Sequence, residues 1–162
     1  MCAHHLHPEY KAYIWFDGTF TLKPGFVEWA IDKLGDADCA FFPHTCRTNI
    51  LDELAHVVDG IRENDQYLIT RYGDDPMTEQ VETYLKEMPL TSGLYQGGLF
   101  IRRNSPKVNA AFDHWYIENT KWSVQDQLSL PYIIWKHGLT VNTIDSALLH
   151  NGPYHKYNWH LH

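Results

Sequence analysis

The chain has 162 residues, 44% of them hydrophobic and 14% aromatic, so one folded domain spanning residues 1–162 is expected. Its 13 basic and 20 acidic residues give a net charge of −7, which disfavours nucleic-acid binding because phosphate contacts need clustered lysine and arginine. There is no run of 18 apolar residues to span a membrane, and three cysteines without a CxxC spacing favour a reducing, cytoplasmic location.

The N-terminal half alternates predicted strands and helices. AYIWF predicts a strand that runs into Asp17. PGFVEWAIDKLG predicts a helix that starts at Pro24, ends before Gly35 and has an apolar face made of Val27, Ala30, Ile31 and Leu34. CAFFP is a short apolar strand, typical of a sheet that is covered on both faces. NILDELAHVVDGI predicts a helix with an apolar side made of Leu51, Leu54, Ala55, Val58 and Ile61.

The second half continues the alternation. DDPMTEQVETYLKEM predicts a helix with an acidic cap, and GLYQGGLFIRR predicts a strand interrupted by two glycines. SPKVNAAFDHWYIENT predicts a helix, SVQDQLSLPYIIWKHG a helix kinked at Pro131, and LTVNTI a strand. The last twelve residues show no clear period. This order predicts an α/β domain with a mostly parallel or mixed sheet flanked by helices.

Two short segments have residues that suit either a structural role or a ligand-binding role. Asp17-Gly18-Thr19 follows an apolar strand, so Asp17 is either a turn residue or a carboxylate ligand for Mg²⁺ or Mn²⁺. Gly97 and Gly98 lie inside a predicted strand, which indicates either a bulge or a close approach of the backbone to a ligand.

Two further segments carry acidic or basic residues at predicted helix starts. Ser123 and Asp126 are spaced as in a capping box, so Asp126 is either structural or chemical. Arg47 could hold a phosphate in a bidentate manner. Asn49 could equally be a helix cap, with Asp52 and Glu53 as ordinary first-turn acids.

Histidines are concentrated near both ends of the sequence. A lone histidine is more often packing than a ligand, but seven together favour a shared polar cleft, although their spacings match no zinc motif such as HExxH. These are His4, His5, His7, His150, His155, His160 and His162.

The order of these segments resembles the GT-A glycosyltransferases. More narrowly, IWFDGTF, H-x-x-R-x-x-I-x-x-E and QDQLSL resemble the TOD1/MUCI70-like (DUF616) glycosyltransferase group over nearly the whole chain. The resemblance implies a nucleotide-sugar donor, a glycan or other hydroxyl acceptor, and Mn²⁺ or Mg²⁺ as the cofactor. It also implies a role for each matching position.

Carried over by position, the resemblance makes Asp17 the metal and diphosphate carboxylate. It makes Asp126 the catalytic acidic residue of an xED-type motif, which supplies a base or an acceptor-binding carboxylate. His150 becomes the late metal ligand, with His155 as its rival. The implied donor-binding residues are Asp17, Thr19, Gly97, Gly98 and Arg47, and the implied acceptor-binding residues are Gln125, Gln127 and His44.

Two departures from the family pattern shape the expectations. Thr19 stands where a DxD motif has its second aspartate, which predicts weak metal affinity without nucleotide. Only sixteen residues precede Asp17, so we expect most of the N-terminal nucleotide-binding half to be missing and exposed apolar surface to favour a homodimer or a partner domain.

We therefore expect a metal-dependent glycosyltransferase. Two alternatives remain open at this point. One is a metal-dependent hydrolase built on the terminal histidines, and the other is a non-catalytic carbohydrate-binding module that uses tryptophan and tyrosine to stack on sugars.

Overall fold

A computed structural model describes residues 2–90 and 93–158. Within it the chain divides into two compact units. The first, which we call the helical unit, comprises Thr45–Leu94 and Ala110–Gly138. The second, the sheet unit, comprises Cys2–His44, Tyr95–Asn109 and the described residues from 139 onwards.

A four-stranded mixed sheet forms the centre of the sheet unit. Its strands are β1 (Ala12–Phe16), β3 (Cys39–Pro43), β4 (Tyr95–Arg103) and β5 (Val141–Thr143), in the spatial order β1-β4-β3-β5. β4 pairs antiparallel with β1 and β3, while β5 pairs parallel with β3. The predicted α/β class with a mixed sheet is confirmed.

β3 is buried except at its last residue, Pro43, which is half-buried. Its residues from Cys39 to Phe42 are 0% exposed, as the apolar sequence predicts. β4, in contrast, is not interrupted by its two glycines. Its pairing with β3 is nevertheless irregular at these glycines. Phe41 pairs with Phe100 and Pro43 with Tyr95, so four β4 residues, 96–99, lie opposite the single β3 residue Phe42.

Helix α2 (Phe26–Leu34) packs on β3 and β4 and closes the core of the sheet unit. It begins two residues after Pro24, because Gly25 is its N-cap with φ of 86°. The predicted apolar face was partly wrong, since Val27 and Ile31 are 60% and 47% exposed. The aromatic rings of Phe26 and Trp29 determine which face of α2 turns towards the core. The buried residues of the helix are Phe26, Trp29, Ala30 and Leu34.

Three elements of the sheet unit were not predicted from the sequence. They are helix α1 (Ala3–Leu6) and the strands β2 (Phe20–Leu22) and β6 (His155–Tyr157), which pair antiparallel with each other. A short 3-10 helix, Ser146–Leu148, precedes β6. Three-residue strands carry no readable period, so only the fold reveals their pairing.

The helical unit contains α3 (Ile50–Arg62), α4 (Gln66–Tyr72), α5 (Met77–Leu85) and α7 (Asp126–Lys136), together with α6 (Pro106–Lys121) from Ala110 onwards. α3 packs against α4, α5 and α7. The sequence did not predict α4, whose N-cap is Asp65. The expected acidic cap of α5 is wrong, because Pro76 is the N-cap and makes no side-chain bond.

The buried face of α3 differs from the predicted one. Ile50, Glu53 and Val57 are the buried residues, whereas Leu51 is 40% exposed. Asn49 caps α3, as one of the two sequence interpretations held, with its side-chain oxygen accepting from the backbone N–H groups of residues 51 and 52. Glu53 is therefore not an ordinary first-turn acid on the solvent side.

Helix α7 starts without the capping box that Ser123 and Asp126 suggested. Gln125 is its N-cap and makes no side-chain capping bond, and the Ser123 hydroxyl donates instead to Gln80. Pro131 lies buried within the helix, where it removes one intrahelical N–H donor.

No helix in residues 2–90 and 93–158 is both long enough and apolar enough to cross a membrane.

Candidate functional site

The carboxylate of Asp17 lies beside Gly98 at the end of β1. The backbone N–H of Asp17 donates to the Gly98 carbonyl over 2.8 Å. A Cβ atom on Gly98 would lie 3.2 Å from Oδ2 of Asp17, which is tighter than nine in ten real Cβ contacts. Gly98 lies where the pairing of β4 with β3 is irregular, which supports the bulge interpretation, and it also lies against the exposed carboxylate of Asp17. A close approach of this backbone to a ligand stays a prediction.

Trp15 holds the other oxygen of the same carboxylate. Its indole N–H donates to Oδ1 of Asp17 over 3.2 Å. Alternation along β1 places both side chains on one face of the sheet, where Trp15 lies against Phe100 and remains 49% exposed. The Trp15 N–H thus binds one oxygen of this carboxylate, and the absence of a side chain on Gly98 leaves space beside the other.

Thr19 contributes a buried hydroxyl two residues further on. Its Oγ1 has no hydrogen-bond partner within the described part of the chain, although the residue is only 9% exposed. A carboxylate and an unpartnered hydroxyl are both hard oxygen donors, so their chemistry fits Mg²⁺ or Mn²⁺. Across residues 2–90 and 93–158, Asp17 belongs to no cluster of three metal-ligating side chains.

The two candidate late histidines differ in their surroundings. His150 is exposed, and its ring contacts Tyr157, which pairs with Phe20 in the β2–β6 ladder. His155 is 0% exposed, and its Nε2–H donates to the carbonyl oxygen of Leu148 over 2.7 Å. The ring of His155 is enclosed by Phe20, Phe26, Trp29 and Phe42. Packing thus accounts for His155, and His150 remains the better candidate ligand.

A buried carboxylate lies on α3 in the helical unit. Glu53 is 1% exposed, and its Oε2 accepts a hydrogen bond from Nε of Arg47, which precedes the helix. The guanidinium predicted to hold a phosphate is therefore engaged, at least through Nε, in an internal ion pair. Such a pair repays the cost of burying two charges only when further hydrogen bonds satisfy them.

Gln125 supplies the next hydrogen bond to this carboxylate. Its Nε2–H donates to Oε1 of Glu53 over 2.6 Å, and its Oε1 accepts from the Tyr72 hydroxyl over 3.1 Å. Burial raises the pKa of Tyr72 to about 12, so its hydroxyl keeps the proton that it donates near neutral pH. Gln125, predicted to bind an acceptor, is 7% exposed, and both ends of its side-chain amide form hydrogen bonds within the protein.

Asp126 follows directly as the first residue of α7. It is half-buried, and its charge acts on both Arg71 and Tyr72 of α4. Gln127, also half-buried, accepts a longer bond of 3.4 Å from Nε2 of Gln125. The carboxylate of Asp126 thus lies at the start of a helix, next to a residue whose side chain is held on both sides.

A pocket of about 240 Å³ opens in the same unit. Tyr72 and Asp75 line it and also bond to the segment before Asp126, because Oδ2 of Asp75 accepts the Val124 backbone N–H over 3.2 Å. The remaining walls are Val58, Ile61, Arg62, Gly73, Met77 and Thr78.

The structure thus assigns the predicted residues to two sets. Asp17, Thr19, Gly97, Gly98, His44 and His150 belong to the sheet unit, where Asp17 and Gly98 are in contact. Arg47, Gln125, Asp126 and Gln127 belong to the helical unit, where Glu53 joins Arg47 to Gln125.

The family model described as TOD1/MUCI70, glycosyltransferase-like domain, matches residues 1–151. The chain belongs to this family. The resemblance carried by IWFDGTF and QDQLSL is therefore confirmed, and the chain is a glycosyltransferase-like domain of TOD1/MUCI70 type. Comparisons with the curated proteins and with the solved structures give no match.

The terminal histidines of the described residues do not form a common metal site. Within the described ranges 2–90 and 93–158, no three of them bring ligand atoms together. His4, 8% exposed, accepts at Nδ1 from Arg102. His160 and His162 lie outside the described residues.

The sequence missed Glu53, Tyr72 and Trp15 as members of the two sets. A signal for Glu53 was present, because Ile50 and Val57 lie three residues before it and four residues after it, on the same side of a helix. For Tyr72 no such signal existed, since its helix was not predicted. Trp15 was interpreted only as part of a strand, although alternation places it on the same face as Asp17.

Proposed function

We propose that this TOD1/MUCI70-type domain transfers a sugar from a nucleotide-sugar donor to an acceptor hydroxyl, with a divalent cation as cofactor. Family membership supports the reaction class. The observation that carries the proposal further is the Asp17 carboxylate, which is exposed, held by Trp15 and kept clear by Gly98.

The donor diphosphate is assigned to the Asp17 region of the sheet unit. Asp17 and Thr19 would hold Mn²⁺ or Mg²⁺, and His150 is the candidate for a further ligand. When bound, such a cation supplies positive charge that stabilises a leaving diphosphate. The indole N–H of Trp15 fixes the carboxylate by occupying a lone pair on Oδ1.

The acceptor is assigned to the helical unit. A hydroxyl oxygen of the acceptor attacks the anomeric carbon, a new C–O bond forms, and the bond to the nucleoside diphosphate breaks. Asp126 takes the hydroxyl proton as the general base. The pocket beside Tyr72 and Asp75 is the proposed place for the acceptor, because both residues also hold the segment that leads to Asp126.

The experiment begins with a thermal-shift panel of nucleotide sugars with and without Mn²⁺, because a ligand bound by the folded state raises the melting temperature. The best donor then enters a transfer assay with candidate glycan acceptors. We expect Asp17→Asn to remove the Mn²⁺-dependent shift and Asp126→Asn to lower transfer by roughly 10²-fold or more with the shift intact. Full transfer by both variants would refute these assignments.

A non-catalytic carbohydrate-binding role is the second candidate, because Trp15 and Phe16 are 49% and 42% exposed, and exposed aromatic rings can stack on sugars. Glycan binding that survives Asp17→Asn, with no nucleotide sugar consumed, would favour this role over transfer.

A further inference from the structure

Three consecutive residues before α7 are each hydrogen-bonded to a different part of the helical unit. The Ser123 hydroxyl donates to Oε1 of Gln80 on α5 over 2.6 Å, and the Val124 N–H donates to Asp75. Gln125 contacts Glu53 on α3 and Tyr72 on α4. The entry to α7 is therefore fixed by side chains, although no side chain caps the helix.

Glu53 is the unusual member of this arrangement. At 1% exposure, a carboxylate is costly to bury, and a well-packed apolar residue would often serve stability as well. The geometry shows what an apolar residue could not do. One carboxylate accepts from Arg47 through Oε2 and from Gln125 through Oε1, which links the start of α3 to the start of α7.

The direction of these hydrogen bonds is determined by chemistry. A carboxylate paired with Arg47 only accepts, so Gln125 must present its NH₂ group to Glu53. Its carbonyl oxygen then faces Tyr72, whose raised pKa keeps a donor on that side. Gln125 has a single orientation, and the backbone that carries Asp126 follows it.

We infer that Glu53 is a positioning residue, which fixes the first turn of α7 and thereby the direction of the Asp126 carboxylate. In this role the R-x-x-I-x-x-E and QDQLSL segments together position Asp126, and the hydrogen bond from Gln125 to Glu53 joins them. The consequence for sugar transfer rests on the function proposed above, whereas the effect on the first turn of α7 does not.

The experiment compares Glu53→Gln with Val57→Ala in the full chain. Val57 is 0% exposed and lies one turn further along the same face of α3, so its truncation lowers stability without touching the hydrogen bonds. We expect Glu53→Gln to lower kcat roughly 10-fold or more with the KM values little changed, because misplacing a reacting group costs rate rather than ground-state binding. Val57→Ala should keep kcat at temperatures where it is folded.

Amide hydrogen exchange at residues 125–128 provides a readout independent of activity. Exchange there should accelerate in Glu53→Gln beyond the change seen in Val57→Ala. The exchanged pair Glu53→Gln with Gln125→Glu keeps one carboxylate and one amide in contact, and Tyr72 can still donate to residue 125. It should recover part of the protection, whereas no recovery in the folded double variant would contradict the proposed link.

The two proposals fail in different ways. If the wild-type chain transfers no sugar, the proposed function fails and exchange alone decides the role of Glu53. If transfer occurs but Glu53→Gln behaves like Val57→Ala in both kcat and exchange, Glu53 is only a buried structural acid and the positioning role is wrong.

Discussion

At Gly98, the missing side chain keeps one oxygen of Asp17 accessible. The β1–β4 pairing draws the two residues together, because Phe16 faces Leu99 and the next N–H, that of Asp17, bonds to Gly98. A strand end, a glycine on the neighbouring strand and a tryptophan two residues back thus produce an exposed carboxylate with restricted orientation.

Gly98→Ala tests this arrangement at the residue scale. The new methyl group would lie 3.2 Å from Oδ2 of Asp17 and 3.5 Å from the Phe20 ring, so the carboxylate must move. We expect Mn²⁺-dependent binding of the nucleotide sugar to weaken about tenfold, which matches the loss of one charge-assisted contact. Calorimetric titration measures the change.

Gly18→Ala is the matched control, because a Cβ atom at residue 18 meets nothing within 4 Å and its backbone needs no positive φ. Its affinity should equal that of the wild type. Equal losses in the two alanine variants would show that the turn backbone matters rather than the space at Gly98.

At the residue scale, the sequence points to positions whose signal is local. Asp17 and the two glycines were singled out because strand ends and strand glycines are visible in the sequence, and their roles stay predictions. Glu53 was interpreted as an ordinary first-turn acid, and a single charged residue on a helix is usually exposed. Its burial depends on Arg47 and Gln125, one before the helix and the other 72 residues further along the chain.

Helix α3 shows how one element serves both stability and the candidate site. Its N-cap, Asn49, accepts from the backbone N–H groups of Leu51 and Asp52 over 2.9 and 3.1 Å. Hydrogen bonds from Thr48 lower the pKa of the Asp52 carboxyl, which keeps a negative charge at the start of the helix. Glu53 follows within the same turn, so its position depends on how firmly this end is held.

Loss of the cap should therefore be measurable. Asn49→Ala removes the acceptor for two backbone donors, and we expect the free energy of unfolding to fall by about 1 kcal/mol. Urea denaturation followed by circular dichroism gives the value. Asn49→Ser retains a capping oxygen and should recover most of the loss, while an alanine variant as stable as the wild type would mean that water replaces the cap at no cost.

Elements were predictable in proportion to their length and local chemistry. α3, α6 and β4 have long, well-bounded patterns and were found. β2 and β6 have three residues each and owe their existence to a pairing between distant parts of the chain. The face of α2 was misassigned because the period allows two adjacent stripes, and only packing of Phe26 and Trp29 selects one.

At the scale of the whole molecule, protonation of His155 makes the free energy of unfolding depend on pH. Its Nε2–H bonds to backbone carbonyls, while Nδ1 is buried without a partner in the described residues. A second proton would place an unsatisfied charge among aromatic rings, so burial lowers the pKa of His155 below its usual value of 6.5, although the two carbonyls oppose the shift.

The sign of the effect follows from linkage. As pH falls below 6.5, the unfolded chain takes up the proton before the folded one does, so stability declines until the folded pKa is reached. Urea midpoints between pH 7.5 and 5 should fall for the wild type. His155→Phe should be less stable at pH 7.5 but show a smaller decline.

His150→Gln is the control for this pH series, since His150 is exposed and its removal should leave the decline unchanged. A wild-type decline that persists in full in His155→Phe would assign the pH dependence to other groups.

The interleaving of the two units along the chain has a consequence for synthesis on the ribosome. β1 can pair only after β4 has been synthesised, since Phe16 pairs with Leu99. β2 can pair only later, because its Phe20 pairs with Tyr157. Until those later segments emerge, β1 and β3 present unpaired edges and apolar faces of the kind that drive aggregation. Until β4 has left the ribosome, the nascent chain should therefore bind chaperones, and pausing codons that delay the emergence of β4 should lower its yield.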